Sequence, residues 1–192
     1  TYFFRENKHF DFLRAQALAA RSRHQTYRVW SAASSSGEEA YTMAMILADV
    51  MPGLPWEIVG TDISTRVLEG ARRGLYSLER GRHIPREYLQ RFCRKGIQEY
   101  DGYLLVDQSL RSRVIFLHAN LNETLPDLGK FDMVFLRNVM IYFNLETKRE
   151  VVARVLATLK PGGYLCVGHS ESLNDIAQAL ESIAPSIYRK PA

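Results

Sequence analysis

The sequence predicts an α/β fold in which a doubly wound, mostly parallel sheet carries helices on both faces. Strand-like and helix-like segments alternate along the chain, the pattern that crossover helices between parallel strands produce. The 192 residues, 46% hydrophobic and 24% charged, suit one domain with a sizeable core. Apolar runs end after a few residues, far short of the roughly 18 that a membrane span needs. We therefore expect a single soluble domain.

The first part of the chain predicts two pairs of helix and strand. Apolar residues three and four apart predict helices over residues 8–23 and 37–50. The second helix begins with two acids, which favour the positive end of the helix dipole, and it ends before Pro52. Short apolar segments at residues 27–32 and 56–60 predict the first two strands.

The second part of the chain continues the alternation. Ser64 caps a short helix that ends near Gly74, and Pro85 begins another helix. Asn144 caps a helix over residues 145–159, which stops before a Pro-Gly-Gly sequence. Three further buried strands are expected, at residues 114–117, 131–136 and 164–168.

Residues 92–113 do not fit the alternation. They contain Gly96, a turn signal at Asp101 and Gly102, and the β-rich residues 103–106. This composition predicts a small antiparallel hairpin inserted between two units of the sheet.

Charge, cysteine and histidine usage narrow the function classes. The net charge is +4, and the basic excess lies mainly in residues 66–95, which indicates either a solvated surface or a site for an acidic partner. No aromatic residues alternate with these charges, so nucleic acid is the weaker interpretation. Cys93 and Cys166 are expected to be reduced thiols. The five histidines show no metal-ligand spacing, and we predict no metal site.

The ends of the first two predicted strands carry the first candidate site residues. Residues 31–39 form a turn of small residues without the Gly-Lys-Ser/Thr of a phosphate loop. Glu38 and Glu39 open the following helix and suit a cationic or hydroxyl-bearing ligand, unless they only stabilise the helix dipole. Asp62 ends the second strand, where a carboxylate binds the ribose of an adenosine ligand; the alternative is a helix cap. GxGxxG is absent, so a dinucleotide is disfavoured.

The ends of the later strands carry further candidates. Arg137 and Asn138 directly follow an apolar strand, which predicts that they face a cleft, although Arg137 could instead be a surface charge. Residues 168–172 faintly resemble the Gly-x-Ser-x-Gly turn of serine hydrolases but end in serine, with no helix pattern directly after them. A serine hydrolase is therefore disfavoured.

Taken together, these segments resemble a known family. The chain is similar over nearly its whole length to the catalytic domain of the bacterial chemotaxis receptor glutamate methyltransferases, the CheR-type enzymes, whose sheet is Rossmann-like. The segments that carry the resemblance are residues 1–6, 30–41, 60–63, 120–121, 131–143 and 161–173. The combination of these segments is specific to the family. Residues 34–36, three serines, depart from the family's more usual Ser-Thr-Gly but keep the turn small.

The resemblance implies S-adenosylmethionine as cofactor and S-adenosylhomocysteine as product. Arg5 and Tyr142 would lie nearest the transferred methyl, and Arg5 or Arg137 would hold an oxygen of the acceptor. The implied cofactor contacts are Thr1, Arg5, Ala32, Glu38, Asp62, Ile63, Asn120, Leu121, Arg137 and Asn138.

The implied reaction is methyl transfer to glutamate side chains of chemotaxis receptors, which gives glutamate methyl esters. A glutamate with an unperturbed pKa of about 4.3 is already ionised at neutral pH, so no general base is required. One alternative is a methyltransferase for an amine or a hydroxyl, which needs a base, and His169 is the only nearby candidate. The other is a non-catalytic module that binds the cofactor or docks a partner.

The family also suggests partners and context. Its inserted hairpin docks a tail peptide of some receptors as an extra strand, so residues 92–113 are the candidate docking element here. Family members usually carry an asparagine just before the threonine and an N-terminal helical domain before that, both absent from this chain. The chain begins at Thr1 without an initiator methionine or export leader, so we expect a piece of a longer cytoplasmic protein that acts on the receptors' cytoplasmic helical domains.

Overall fold

Strands and helices alternate along the chain, and a computed structural model describes all residues, 1–192. The strands are β1 (Tyr27–Ser31), β2 (Trp56–Asp62), β3 (Leu75–Ser77), β4 (Cys93–Lys95), β5 (Tyr103–Val106), β6 (Val114–His118), β7 (Phe131–Leu136), β8 (Leu159–Val167), β9 (Glu181–Ala184) and β10 (Ile187–Arg189). The helices are α1 (Asn7–Ala19), α2 (Glu38–Val50), α3 (Thr65–Arg73), α4 (Arg86–Phe92), α5 (Gln108–Arg111) and α6 (Leu145–Thr158). Gln98–Tyr100 and Met140–Tyr142 form short 3₁₀ turns.

Seven strands form one sheet in the order β6-β2-β1-β7-β8-β10-β9. The pairs β6–β2, β2–β1, β1–β7 and β7–β8 are parallel, while β10 pairs antiparallel with β8 and β9. The predicted mostly parallel α/β sheet is therefore confirmed. The strand order reverses at β1, which places the switch point, where such sheets bind ligands, between β1 and β7.

Alternate residues of the strands point into two apolar layers. Val29 and Trp30 are adjacent in β1 and fully buried on opposite faces of the sheet. The layer around Val29 includes Leu13 of α1 and Met43 of α2, and the layer around Trp30 includes Val151 of α6. Each fully buried side chain of this size contributes about 1.5–3 kcal/mol, so the two layers hold the strand ends in a fixed arrangement. No helix has both the length and the apolar character that crossing a bilayer requires.

The insert differs from the predicted hairpin. Its two arms, β4 and β5, do pair antiparallel, but β5 also pairs with β3, which precedes the predicted insert. The insert is thus a three-stranded sheet in the order β3-β5-β4. β3 was not predicted, because it has only three residues, directly after the C-cap residue Gly74 of α3. Three residues are too few to show an alternation of apolar and polar side chains.

Two other boundaries differ from the prediction by four residues or more. α1 ends at Ala19, four residues before the predicted end, and β8 begins at Leu159 and includes the Pro-Gly-Gly sequence that was predicted to precede it. The pairing of β8 with β7 shifts register between Phe131 and Met133, so these residues form an irregular start to the strand. The antiparallel β9 and β10 were not predicted.

Candidate active site

A cleft lies at the carboxyl ends of β1, β2, β6 and β7. It consists of a mainly polar cavity of about 370 Å³ and a mainly apolar cavity of about 190 Å³. Ala33, Asp62 and Val139 line both cavities, so the two are parts of one cleft. This is the edge at which the switch point was expected.

The cleft brings together every predicted site residue except Glu38. The polar cavity is lined by Thr1, Arg5, Asp62, Arg137, Asn138 and Tyr142 of the predicted set. The apolar cavity is lined by Ala32, Asp62, Ile63, Asn120 and Leu121 of that set. Residues from the beginning, middle and last third of the chain therefore meet at one place.

Asp62 stands between the two cavities. Its Oδ2 accepts a hydrogen bond from the backbone N–H of Ser35 at 2.9 Å, and its Oδ1 accepts one from the N–H of Ser64 at 3.0 Å. The cap of α3 is Ser64 itself, whose Oγ accepts from Val67. Asp62 thus joins the turns after β1 and β2, and each carboxylate oxygen keeps a further lone pair for a ligand hydroxyl.

The segment before α1 closes the polar cavity. Phe3 is fully buried, with its ring 5.0 Å from that of Tyr76, and it anchors the segment. Phe4 and Glu6 adopt left-handed backbone conformations, with φ of 59° and 57°. Residues other than glycine rarely adopt such conformations unless the surrounding contacts enforce them. Between them, the guanidinium of Arg5 donates no hydrogen bond within the protein and lies over the ring of Tyr2 at 5.8 Å. Its donors are therefore available to a ligand.

Arg137, in contrast, is committed to protein partners. Its side chain is almost completely buried, Nε donates to Glu39 Oε2 at 2.8 Å, and Nη1 donates to the carbonyl oxygen of Arg5 at 2.8 Å. Glu39 Oε1 in turn accepts from the hydroxyl of Ser31 at 2.7 Å. Arg137 therefore ties the Arg5 segment to α2 and β1, so of the two predicted arginines Arg5 is the better placed to hold an acceptor oxygen.

His9 extends the Arg137 network. Its Nδ1 accepts from Arg137 Nη1 at 3.0 Å, and its Nε2 lies 2.7 Å from Ser186 Oγ, which itself donates to the carbonyl of Pro185. Because the single hydroxyl proton is used there, Nε2 carries the ring proton and donates to Ser186. Burial, followed by the charge of Arg137, lowers the pKa of His9 to about 4, so the ring is neutral.

Glu38 lies outside both cavities, although it was predicted as a cofactor contact. It is completely buried in the first turn of α2, pairs with Arg80 and accepts from the hydroxyl of Ser36. Tyr76 donates to the Ser36 carbonyl at 2.6 Å, and burial, then the charge of Glu38, raises the pKa of Tyr76 well above its usual value. Glu38 thus fixes the turn after β1, and its neighbour Glu39 faces the cleft.

Neither a cluster of metal-binding side chains nor a histidine lies in the cleft. No three side chains of the metal-binding types converge anywhere in the structure, and both cysteines are free. His169, the candidate base of the amine or hydroxyl alternative, is exposed and lines neither cavity.

Solved structures with little sequence identity share this fold. A TehB-like SAM-dependent methyltransferase from Corynebacterium glutamicum has the same fold, with a TM-score of 0.51 and 10% identity over 92% of this chain and 84% of that one. TrmN from Thermus thermophilus is similar over 92% of this chain and 46% of that one, with a TM-score of 0.52 and 16% identity. The fold is that of the S-adenosylmethionine-dependent methyltransferases.

Sequence comparison then gives the family. Residues 1–188 match the CheR methyltransferase, SAM binding domain, and the chain belongs to this family. It is 41% identical to the chemotaxis protein methyltransferase of Salmonella typhimurium and 42% identical to that of Escherichia coli, in each case over 98% of this chain. These alignments cover 65% and 66% of the two relatives, so the chain spans about two thirds of their length.

Proposed function

We propose that this chain transfers a methyl group from S-adenosylmethionine to glutamate side chains of methyl-accepting chemotaxis receptors. The observation that carries the proposal is the guanidinium of Arg5, which faces the polar cavity with all its donors free. A planar guanidinium is suited to hold a carboxylate oxygen by charge-assisted hydrogen bonds. The absence of a histidine from the cleft lining agrees with an acceptor that is already ionised.

The two cavities suit the two ends of the cofactor. The adenine ring would lie in the apolar cavity against Ile63, Leu121 and Val139, and Asn120 offers an amide at its edge. Asp62, between the cavities, would accept hydrogen bonds from the ribose hydroxyls. The methionine end and the sulfonium would then lie in the polar cavity, which Glu39 and its partner Arg137 also line.

The reaction would be an in-line displacement at the methyl carbon. A carboxylate oxygen of the receptor glutamate forms the new bond to the methyl carbon, the bond from carbon to sulfur breaks, and its electron pair remains on sulfur. The products are a glutamate methyl ester and neutral S-adenosylhomocysteine. Because no proton moves, the protein's contribution is alignment and removal of water from the carboxylate. Arg5 would hold one oxygen, and Tyr142, 79% exposed at the rim, would direct the approach.

The insert would add a second contact with the receptor. Both outer strands of the three-stranded sheet, β3 and β4, have one edge that pairs with no other strand. Over one face of this sheet, above Leu75 of β3, Leu105 of β5 and Arg94 of β4, lies a cavity of about 360 Å³. Its lining also includes the exposed Ile97 and Tyr100 together with Arg73 and Lys95. A receptor tail with acidic and aromatic side chains could pair with the β4 edge and place those side chains here. The protein would act in the cytoplasm, on the helical domains of these receptors.

Methyl transfer from labelled cofactor to a receptor cytoplasmic domain tests the proposal. The label should appear on receptor glutamates and leave as volatile methanol on mild alkaline treatment, because esters hydrolyse whereas methylamines and methyl ethers do not. Arg5→Ala should lose transfer, and Arg66→Ala, at an exposed arginine on α3 whose side chain makes no hydrogen bond, serves as the control. Label that survives alkali would favour an amine or hydroxyl acceptor, and cofactor binding without transfer to any receptor domain would favour a docking module.

A further inference from the structure

Glu171 receives three backbone hydrogen bonds from the ends of two neighbouring strands. Its Oε1 accepts from the N–H of Asn138 and from the N–H of Gly168, each at 2.8 Å. Its Oε2 accepts from the N–H of Met140, also at 2.8 Å. Asn138 and Met140 follow β7, and Gly168 follows β8, so one side-chain carboxylate joins both strand ends.

The backbone around Glu171 is shaped to receive this carboxylate. Asn138 has a φ of 60°, a left-handed conformation that costs about 1–3 kcal/mol for a non-glycine residue unless its surroundings enforce it. Gly168 allows the close approach, since a Cβ there would lie 2.6 Å from both Asn138 Oδ1 and Glu171 Oε1. The left-handed residue and the crowded glycine both lie against the same carboxylate.

We propose that Glu171 is a positioning residue that holds residues 138–140 in the shape the cofactor cleft requires. Asn138 and Val139 line the cleft, and Tyr142 follows within the next turn. Glu171 itself lines neither cavity, so it acts through this segment. The inference rests on the proposed placement of the cofactor in this cleft.

The negative charge of the Glu171 carboxylate is what holds the segment in place. Three N–H dipoles aimed at one point attract an anion, and hydrogen bonds to an ionised carboxylate are about twice as strong as those to a neutral acceptor. Removal of the carboxylate leaves three donors that face a space of carboxylate size. A small free carboxylate such as formate should therefore enter this space and restore the segment, whereas chloride, a single spherical ion, takes the place of one oxygen only and leaves the N–H of Met140 without its acceptor.

The test measures S-adenosylhomocysteine affinity, which does not depend on the receptor, by calorimetry in the parent chain, Glu171→Ala, Glu171→Gln and Asp175→Ala. Asp175 is an exposed acid of the same segment that makes no hydrogen bond, and it is the matched control. Each protein is titrated in chloride and in formate at equal ionic strength, and thermal unfolding confirms that each is folded.

We expect Glu171→Ala to bind at least about tenfold more weakly in chloride and to recover most of this loss in formate, in a saturable way. Glu171→Gln, which fills the space with a neutral amide, should bind weakly in both salts, and Asp175→Ala should match the parent.

Parent-like affinity of a folded Glu171→Ala or Glu171→Gln would overturn the proposal, as would equal affinities of Glu171→Ala in the two salts. If Glu171→Ala does not fold, Glu171→Gln decides. Failure of the receptor reaction would leave these binding results unchanged, so the two proposals are separable.

Discussion

Acidification should destabilise this protein through His9. The folded protein holds the ring neutral, because Nδ1 accepts from Arg137 while Nε2 donates to Ser186, and only 1% of the residue is exposed. Burial, then Arg137, with smaller contributions from Lys8 and His169, lowers the pKa from 6.5 to about 4, and Glu6 opposes them. The unfolded chain takes up a proton near pH 6.5, which the folded protein resists until about pH 4. The contribution to stability is therefore complete above pH 6.5 and is lost as the pH falls towards 4.

The size of the loss follows from these two pKa values. Linkage gives a decrease of up to about 2 kcal/mol in the free energy of unfolding between pH 7.5 and pH 5. His9→Gln keeps a polar side chain that does not titrate, and it therefore isolates this contribution from that of the carboxylates. The free energy of unfolding of the parent minus that of His9→Gln should therefore be smaller at pH 5 than at pH 7.5, by up to about 2 kcal/mol.

Urea unfolding of both proteins at the two pH values measures the difference. A difference between parent and His9→Gln that stays constant from pH 7.5 to pH 5 would show that His9 is not held neutral, and the hydrogen-bond directions assigned to Arg137 and Ser186 would then be wrong.

Two further predictions concern the reaction and the insert. Arg5→Ala and Tyr142→Phe should lower the single-turnover rate of methyl transfer about tenfold or more, with a much smaller change in S-adenosylhomocysteine affinity, because both residues would act on the acceptor. Parent rates in both variants would exclude the proposed alignment. A receptor tail peptide should shift backbone amide NMR signals within residues 92–113 and leave that of Asp62 unchanged; shifts confined to the cleft, or none at millimolar peptide, would count against strand addition.

The sequence was most informative where a local rule decides the structure. Ser64 and Asn144 were predicted as helix caps, and each accepts a hydrogen bond from the backbone N–H three residues on. Pro85 is the residue directly before α4, as its fixed φ favours. Asp62 was predicted from its place after an apolar strand, and the structure puts it between the two cavities.

The sequence alone does not tell which of two neighbouring residues faces the cleft. Glu38 and Glu39 are consecutive acids in the same helical turn, and nothing local tells which one faces the cleft. The rotation of α2 on the sheet decides it, since Glu38 turns inward to Arg80 and Glu39 turns to Arg137. The turn after the first strand indicated both acids as candidates, and the family resemblance implied Glu38 as the cofactor contact, whereas Glu39 is the one that lines the polar cavity.

Contacts between residues far apart in the chain were also not predictable from the sequence. His9 lies on the buried face of α1 and has no local signal of its role, because its partners are 128 and 177 positions away in the chain. Strands β9 and β10 were missed because the turn between them, at Pro185 and Ser186, separates segments of only four and three residues. β10 forms on the free edge of β8 and β9 on the edge of β10, and no local pattern reports such edges.

We propose that the cofactor spans the two cavities with its ribose at Asp62, and calorimetry of S-adenosylhomocysteine with Asp62→Ala measures the contribution of this carboxylate. The matched control is Asp107→Ala, because Asp107 caps α5 and pairs with Arg94 in the insert, outside the cleft. Loss of a charged hydrogen bond should weaken binding to a folded Asp62→Ala by roughly 1.5–3 kcal/mol, while Asp107→Ala binds like the parent. Parent-like affinity of a folded Asp62→Ala would contradict the claim and place the ribose elsewhere.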